Sequence, residues 1–264
     1  MKRFPAIHMI PAAALGMILS CCACQSAQDL PWYEDTDRLW QDYMVAVEDA
    51  KEATAEEMDP DLAAIISPEE SPLAEWLERD GRTFVLVGSV MSGEDSRYWE
   101  NGSGTDSGFI LDDRLPWVTL PYDLTAKLQS AETQSEDAGI EMRVIQMLGL
   151  PPDCGYDRIV FFWAEKDSLF RPAPDPEIYD REVLLDFRDD VDPRYRAWFE
   201  DYRQTAYFSD TPYPWTRLGY TYDWNAETGT ETGPAEFIVR PGTRVIVQDI
   251  LCVPEWYRTA INLY

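Results

Sequence analysis

Apolar and polar positions follow two different periods along this chain, and the switches between them mark its elements. From Asp37 to about Met58, Leu39, Trp40, Tyr43, Met44 and Val47 recur at three- and four-residue spacing with acidic residues opposite. That pattern predicts an amphipathic helix, with Thr36 as its cap. Ser71-Pro72 opens a short helix, serine as cap and proline in the first turn, that Asp80-Gly81 stops. Thr83 to Met91 (TFVLVGSVM) is rich in β-branched residues and predicts a buried strand. Residues 92–108 read as a polar loop. Asp95, Asn101 and Asp106 offer oxygens there, without the spacing of an EF-hand.

Pro116 to Leu120 predicts a short strand, and residues Tyr122–Glu132 a helix. Ile140, Val144, Met147 and Leu148 lie at i, i+4, i+7 and i+8, a helix that Gly149 stops and Pro151-Pro152 cannot continue. The rival reading, a strand from Glu141, fits the local Val-Ile content less well. Arg158 to Ala164 (RIVFFWA) is apolar on both faces and predicts a central strand. Pro172, Pro174 and Pro176 make 170–180 extended, polyproline-like and superficial. Asp192-Pro193 caps and starts a helix with Tyr195, Trp198, Phe199, Tyr202 and Ala206 as its buried stripe. AEFIVR and RVIVQDIL flank Pro241-Gly242, a type II turn pair, and predict an antiparallel C-terminal β-hairpin. Helices mixed with strands, without regular βαβ alternation, point to one α+β domain over 36–264: a mixed or antiparallel sheet with helices packed on it.

Composition then narrows the chemistry. At 45% hydrophobic and 13% aromatic residues, the chain can bury a substantial core despite its charge. A net charge of −27 repels phosphates and anionic headgroups, so nucleic acid is not an expected partner. The acidity otherwise serves solubility, or attracts calcium or a basic partner.

The first residues, MKRFPAIHMIPAAALGMILSCCAC, have the layout of an export signal. Lys2 and Arg3 precede an apolar stretch that ends near Leu19, shorter than the roughly 20 residues a membrane span needs. Ile18-Leu19-Ser20-Cys21 resembles the lipobox of bacterial lipoprotein precursors. That resemblance covers about the first two dozen residues. It implies removal of 1–20, a lipid on Cys21, a tether over 21–35 and an extracytoplasmic, membrane-anchored domain. With no Asp after Cys21, the sorting pattern implies the outer membrane in a two-membrane cell. A plain secretory signal cut a few residues later is the alternative, and Cys22 or Cys24 are less well placed lipid sites.

His8 is the only histidine and leaves with the signal. Without histidine there is no Ser-His-Asp or Cys-His machinery, no HExxH site and no His-ligated zinc. GxSxG, Walker A, GxGxxG and SxxK are also absent, and there is no CxxC beyond the tether. Cys154 and Cys252 are the two cysteines beyond the tether. An exported compartment permits a disulfide between them. Two unpaired thiols, or pairing with the tether cysteines, are the alternatives.

The most aromatic run is YPWTRLGYTYDWN, residues 213–225, which supplies Tyr213, Trp215, Tyr220, Tyr222 and Trp224. Alternation from Leu218 puts Tyr220, Tyr222 and Trp224 on one side of a strand and Gly219, Thr221 and Asp223 on the other. That side is a candidate ligand face, or it covers the aromatic stripe of the Asp192 helix. The expectation is a non-catalytic binding or interaction domain with no cofactor and no metal, meeting an envelope protein or a glycan. A carboxylate-dependent glycan hydrolase is the alternative enzyme, and a structural member of an envelope complex the third reading.

Overall fold

The computed structural model describes residues 30–100, 102, 108–130 and 135–261. Residues 1–29, with Cys21 and the first part of the expected tether, lie outside the described residues, as do Asn101 and Asp106; Trp32–Glu34 of that tether form a 3-10 turn. Helix α1 spans Thr36–Asp49, and its cap is Asp35, whose carboxylate accepts from the Arg38 N–H. Thr36 is therefore the first helical residue and not the cap. The helix also stops well short of Met58, because Thr54 and Glu57 close a capping box on a separate 3-10 turn, Ala55–Glu57.

No helix follows Ser71-Pro72. The Ser71 hydroxyl accepts from the Ile66 N–H and donates to the Ala64 carbonyl, so it is engaged upstream. Strand β1, Trp76–Arg79, instead pairs antiparallel with β2, Arg82–Met91. Asp80 and Gly81 between them take φ of 52° and 72°, the geometry of a two-residue hairpin turn for which Asp-Gly is a favoured pair. One dipeptide serves as a helix stop or a hairpin turn, and pairing with β2 decides which.

The remaining elements are α2 (Arg97–Glu100), β3 (Phe109–Ile110), β4 (Trp117–Thr119), α3 (Pro121–Ser130), α4 (Asp137–Met147), β5 (Arg158–Glu165) and β6 (Leu169–Phe170). Then come α5 (Pro193–Phe208), β7 (Tyr220–Tyr222), β8 (Thr232–Val239), β9 (Arg244–Cys252) and α6 (Val253–Ala260). The fold is α+β, with nine strands in the order β3-β9-β5-β2-β4-β8-β6, β1 on β2 and β7 on β8, every pairing antiparallel.

Both strands flanking Pro241-Gly242 form, but they do not pair with each other as a hairpin. Strand β9 pairs with β5 and β3, and β8 pairs with β4, β6 and β7. Five residue steps from Val239 to Arg244 reach roughly 17 Å at most. Crossing β5, β2 and β4 in a flat sheet takes four spacings, roughly 19 Å. The turn at Gly242, φ 74°, shortens the reach further. The sheet must curl, and it curls around a core that includes Val85, Val87, Phe162, Phe237 and Val247.

The opposite face of β2 and β5 is apolar too, as RIVFFWA implied. Leu86, Ile159 and Phe161 pack there against Leu124, Ile140, Val144 and Trp256 of α3, α4 and α6. Residues 170–180 are not superficial. Arg171 is fully buried and donates to the carbonyls of Ala63 and Asp180, while Ala173 and Ile178 enter the inner core. Proline has no N–H, so burying Pro172 and Pro174 leaves no donor stranded. No helix among the described residues is long and apolar enough to cross a membrane.

Candidate functional site

Alternation along β4 and β8 builds the floor of the principal cleft. Val118, Ala235 and Phe237 point into the curled core, which leaves Trp117, Thr119 and Glu236 on the outer face. Thr119 and Glu236 are direct partners across the two strands. Helix α5 crosses this face and brings Tyr202, stacked on Trp117 at 5.3 Å and 25°. The segment after α5 folds back through a hydrogen bond from the Tyr213 N–H to the Ala206 carbonyl. It delivers Tyr213 and Trp215, the latter edge-on to both Trp117 (6.0 Å) and Tyr202 (5.4 Å). The other wall is the end of α4, where Gly149 takes φ 67° and turns the chain into Leu150-Pro151. A cleft of about 810 Å³ remains between the walls, with Glu94, Asp95 and Arg114 exposed at its mouth.

The floor holds polar atoms that the protein leaves without partners. They are Thr119 Oγ1, Glu236 Oε1, Tyr213 OH and Trp215 Nε1, none in a closed hydrogen bond, although the Trp215 indole lies beside the Glu236 carboxyl and the Tyr213 hydroxyl beside that of Tyr202. Buried polar groups in native folds are nearly always paired with protein, water or ligand, so four such atoms beneath one cleft keep hydrogen-bonding capacity that the protein does not use. Glu236 is 7% exposed and makes no ion pair among the described residues. Burial pushes its carboxyl well above the ordinary carboxylate range, and the Trp215 indole beside it offsets only part of that effect. Burial likewise raises the phenols of Tyr202 and Tyr213.

The sequence-picked aromatics divide. Tyr213, Trp215 and Tyr222 line the cleft, Trp215 from a core position that is itself only 2% exposed. Tyr220 and Trp224 are core residues, 1% and 2% exposed. The Tyr220 hydroxyl donates to the Glu57 carbonyl, and the Trp224 indole donates to the Leu150 carbonyl. Side alternation holds, since Thr221 and Asp223 turn toward α4 through Met147 and Arg143. The cover differs from expectation: Trp224 meets Tyr43 of α1 edge-on and Tyr222 donates to Asp49, whereas α5 meets Tyr213 and Trp215. Glu236, Thr119 and Trp117 were not singled out by sequence. The available signal was a lone carboxylate in GPAEFIV, a strand otherwise free of charge.

Cys154 and Cys252 do not form the expected bridge; both are free thiols. Cys154 is half-buried against the cluster of Leu39, Tyr43 and Trp224, where burial pushes its thiol up to about 11. Cys252 is exposed at the end of β9. Among the described residues, one carboxylate group has ligand atoms close enough to share a cation: Asp49, Glu57 and Glu231, all within 4.8 Å. The Tyr222 hydroxyl already reaches two of them, at 2.9 Å and 3.4 Å. Comparison with protein-family models, curated proteins and solved structures finds no match to this chain.

Proposed function

We propose that this chain is a lipid-anchored, extracytoplasmic binding protein whose ligand enters the cleft over Glu236. The anchor rests on the lipobox-like ILSC sequence, and the outer membrane follows in a two-membrane cell. The binding role rests on one observation: unpartnered Glu236, Thr119, Tyr213 and Trp215 atoms converge beneath an aromatic-walled cleft. Such a site suits a molecule with an apolar body and a few hydrogen-bonding groups. The partners expected at the envelope, a glycan or a segment of an envelope protein, both have that character.

Screening sugars, amines and short peptides by NMR should yield ligands that shift the indole N–H signals of Trp117 and Trp215. Hits that move only distant signals, or no hits at all, would remove the reading. The anchor is checked separately. Labelled palmitate should mark the wild-type chain and not Cys21→Ser; label surviving that change would place the lipid on another residue, and a wild-type chain that takes no label would remove the anchor.

A second reading draws on the same residue. A buried carboxyl that keeps its proton is what a glycosidic general acid requires, with Glu94 or Asp95 at the mouth as the second carboxylate. Release of aryl chromophore from a glycoside by wild type, lost in Glu236→Gln, would favour hydrolysis over binding alone.

A further inference from the structure

The chemistry around Glu236 discriminates between ligand classes. No cation among the described residues pairs with this carboxyl: its neighbours are the Trp215 indole, Thr119 across the strand, and the rings of Tyr202 and Tyr213. A carboxylate in apolar surroundings is costly unless a positive charge joins it. Aromatic rings attract cations through their electron-rich faces and offer an anion nothing comparable. Long-range charge acts the same way, since a chain of net −27 concentrates cations at its surface, and Glu94 and Asp95 stand at the cleft mouth. Arg114, the cation at that mouth, is already paired with Asp112 at 3.0 Å and lies 3.7 Å over the Tyr98 ring.

We propose that the cleft takes an organic cation, with a primary or secondary ammonium seated on Glu236, a proposal that rests on the binding reading above. An N–H donor satisfies the two unpartnered oxygens, Glu236 Oε1 and Thr119 Oγ1, which a quaternary ammonium cannot do. The ionised carboxylate then accepts from the Trp215 N–H, leaving that donor satisfied as well. A metal ion is the poorer fit, because the floor supplies one carboxylate where a hard cation takes six or more oxygens. An uncharged sugar can use the same hydrogen bonds but gains nothing from the rings' cation preference or the overall charge.

The test uses the full chain in nonionic detergent with three probes: benzylammonium, its neutral counterpart benzyl alcohol, and methyl β-glucoside. Titration is followed by the Trp117 and Trp215 indole N–H signals. Benzylammonium should bind at least tenfold more tightly than benzyl alcohol, and Glu236→Gln should abolish that preference while keeping the wild-type melting profile at acid pH. If Glu236→Gln does not fold, Thr119→Val serves instead, with benzylammonium expected to weaken severalfold. Equal affinity for the cation and the alcohol, or tighter binding of the glucoside, overturns the cation while leaving the binding reading intact. Failure of all three probes overturns the cation; failure of the broader screen as well removes both.

Discussion

Replacing Arg143 with alanine, or Asp223 with alanine, should cost about 3–5 kcal/mol of stability, because either change leaves a buried charge without its partner. The pair is bidentate, with Arg143 Nη1 donating at 2.9 Å and Nη2 at 2.6 Å to the two Asp223 oxygens. Both side chains are only 4% exposed, so the charge left behind stays largely out of water. The bond ties the middle of α4 to the residue just past β7, and so sets the wall of the cleft relative to its aromatic segment. In a domain of this size a loss of that order lowers Tm by roughly 10 °C. Chemical denaturation measures these single variants beside the double variant Arg143→Met with Asp223→Leu. The double variant should recover most of the loss, since a buried ion pair is worth little against well-packed apolar groups. Single variants that unfold within about 1 kcal/mol of wild type would show that the charges are solvated after all.

That pair also marks where sequence reasoning stops. The periods were legible: α5 begins where Asp192-Pro193 placed it, with Asp192 accepting from the Arg194 N–H, and β5 is apolar on both faces as RIVFFWA required. These features are local, decided by neighbours three or four residues away. Pairings are not local. AEFIVR and RVIVQDIL carry a turn between them, yet they sit apart in the curled sheet, β8 between β4 and β6 and β9 between β5 and β3. Asp80-Gly81 reads equally well as a helix stop or a hairpin turn until β2 lies beside it. The aromatic run shows both cases at once. Its alternation survives, but its exposure depends on α1, the end of α4 and α5, which arrive from far along the chain. Glu236 was hidden for the same reason: among so many acids, only the third dimension shows which one is buried without a partner.

Glu236→Gln should make the protein more stable than wild type at neutral pH and no different in acid. Burial raises the folded carboxyl above its ordinary 4.5, so the folded chain still holds a proton that the unfolded chain has released. Between those two values unfolding releases a proton, and rising pH therefore favours the unfolded state. Below 4.5 both states carry the proton and Glu236 contributes no pH dependence. Above it, wild type loses about 1.4 kcal/mol per pH unit until the folded carboxyl itself ionises. Glutamine has nearly the same shape and does not titrate, so the gap between variant and wild type should open from about pH 4.5 and widen at that slope. Asp123 and Glu231 are raised by burial as well, but they are common to both chains and cancel in the difference. Urea unfolding of both proteins in steps from pH 4 to 8 measures it, and parallel curves would mean that Glu236 is ionised and solvated in the folded chain. A gap that opens as expected identifies a carboxyl held on the cleft floor at a cost in stability. A residue retained on those terms is explained by what it binds rather than by what it packs against.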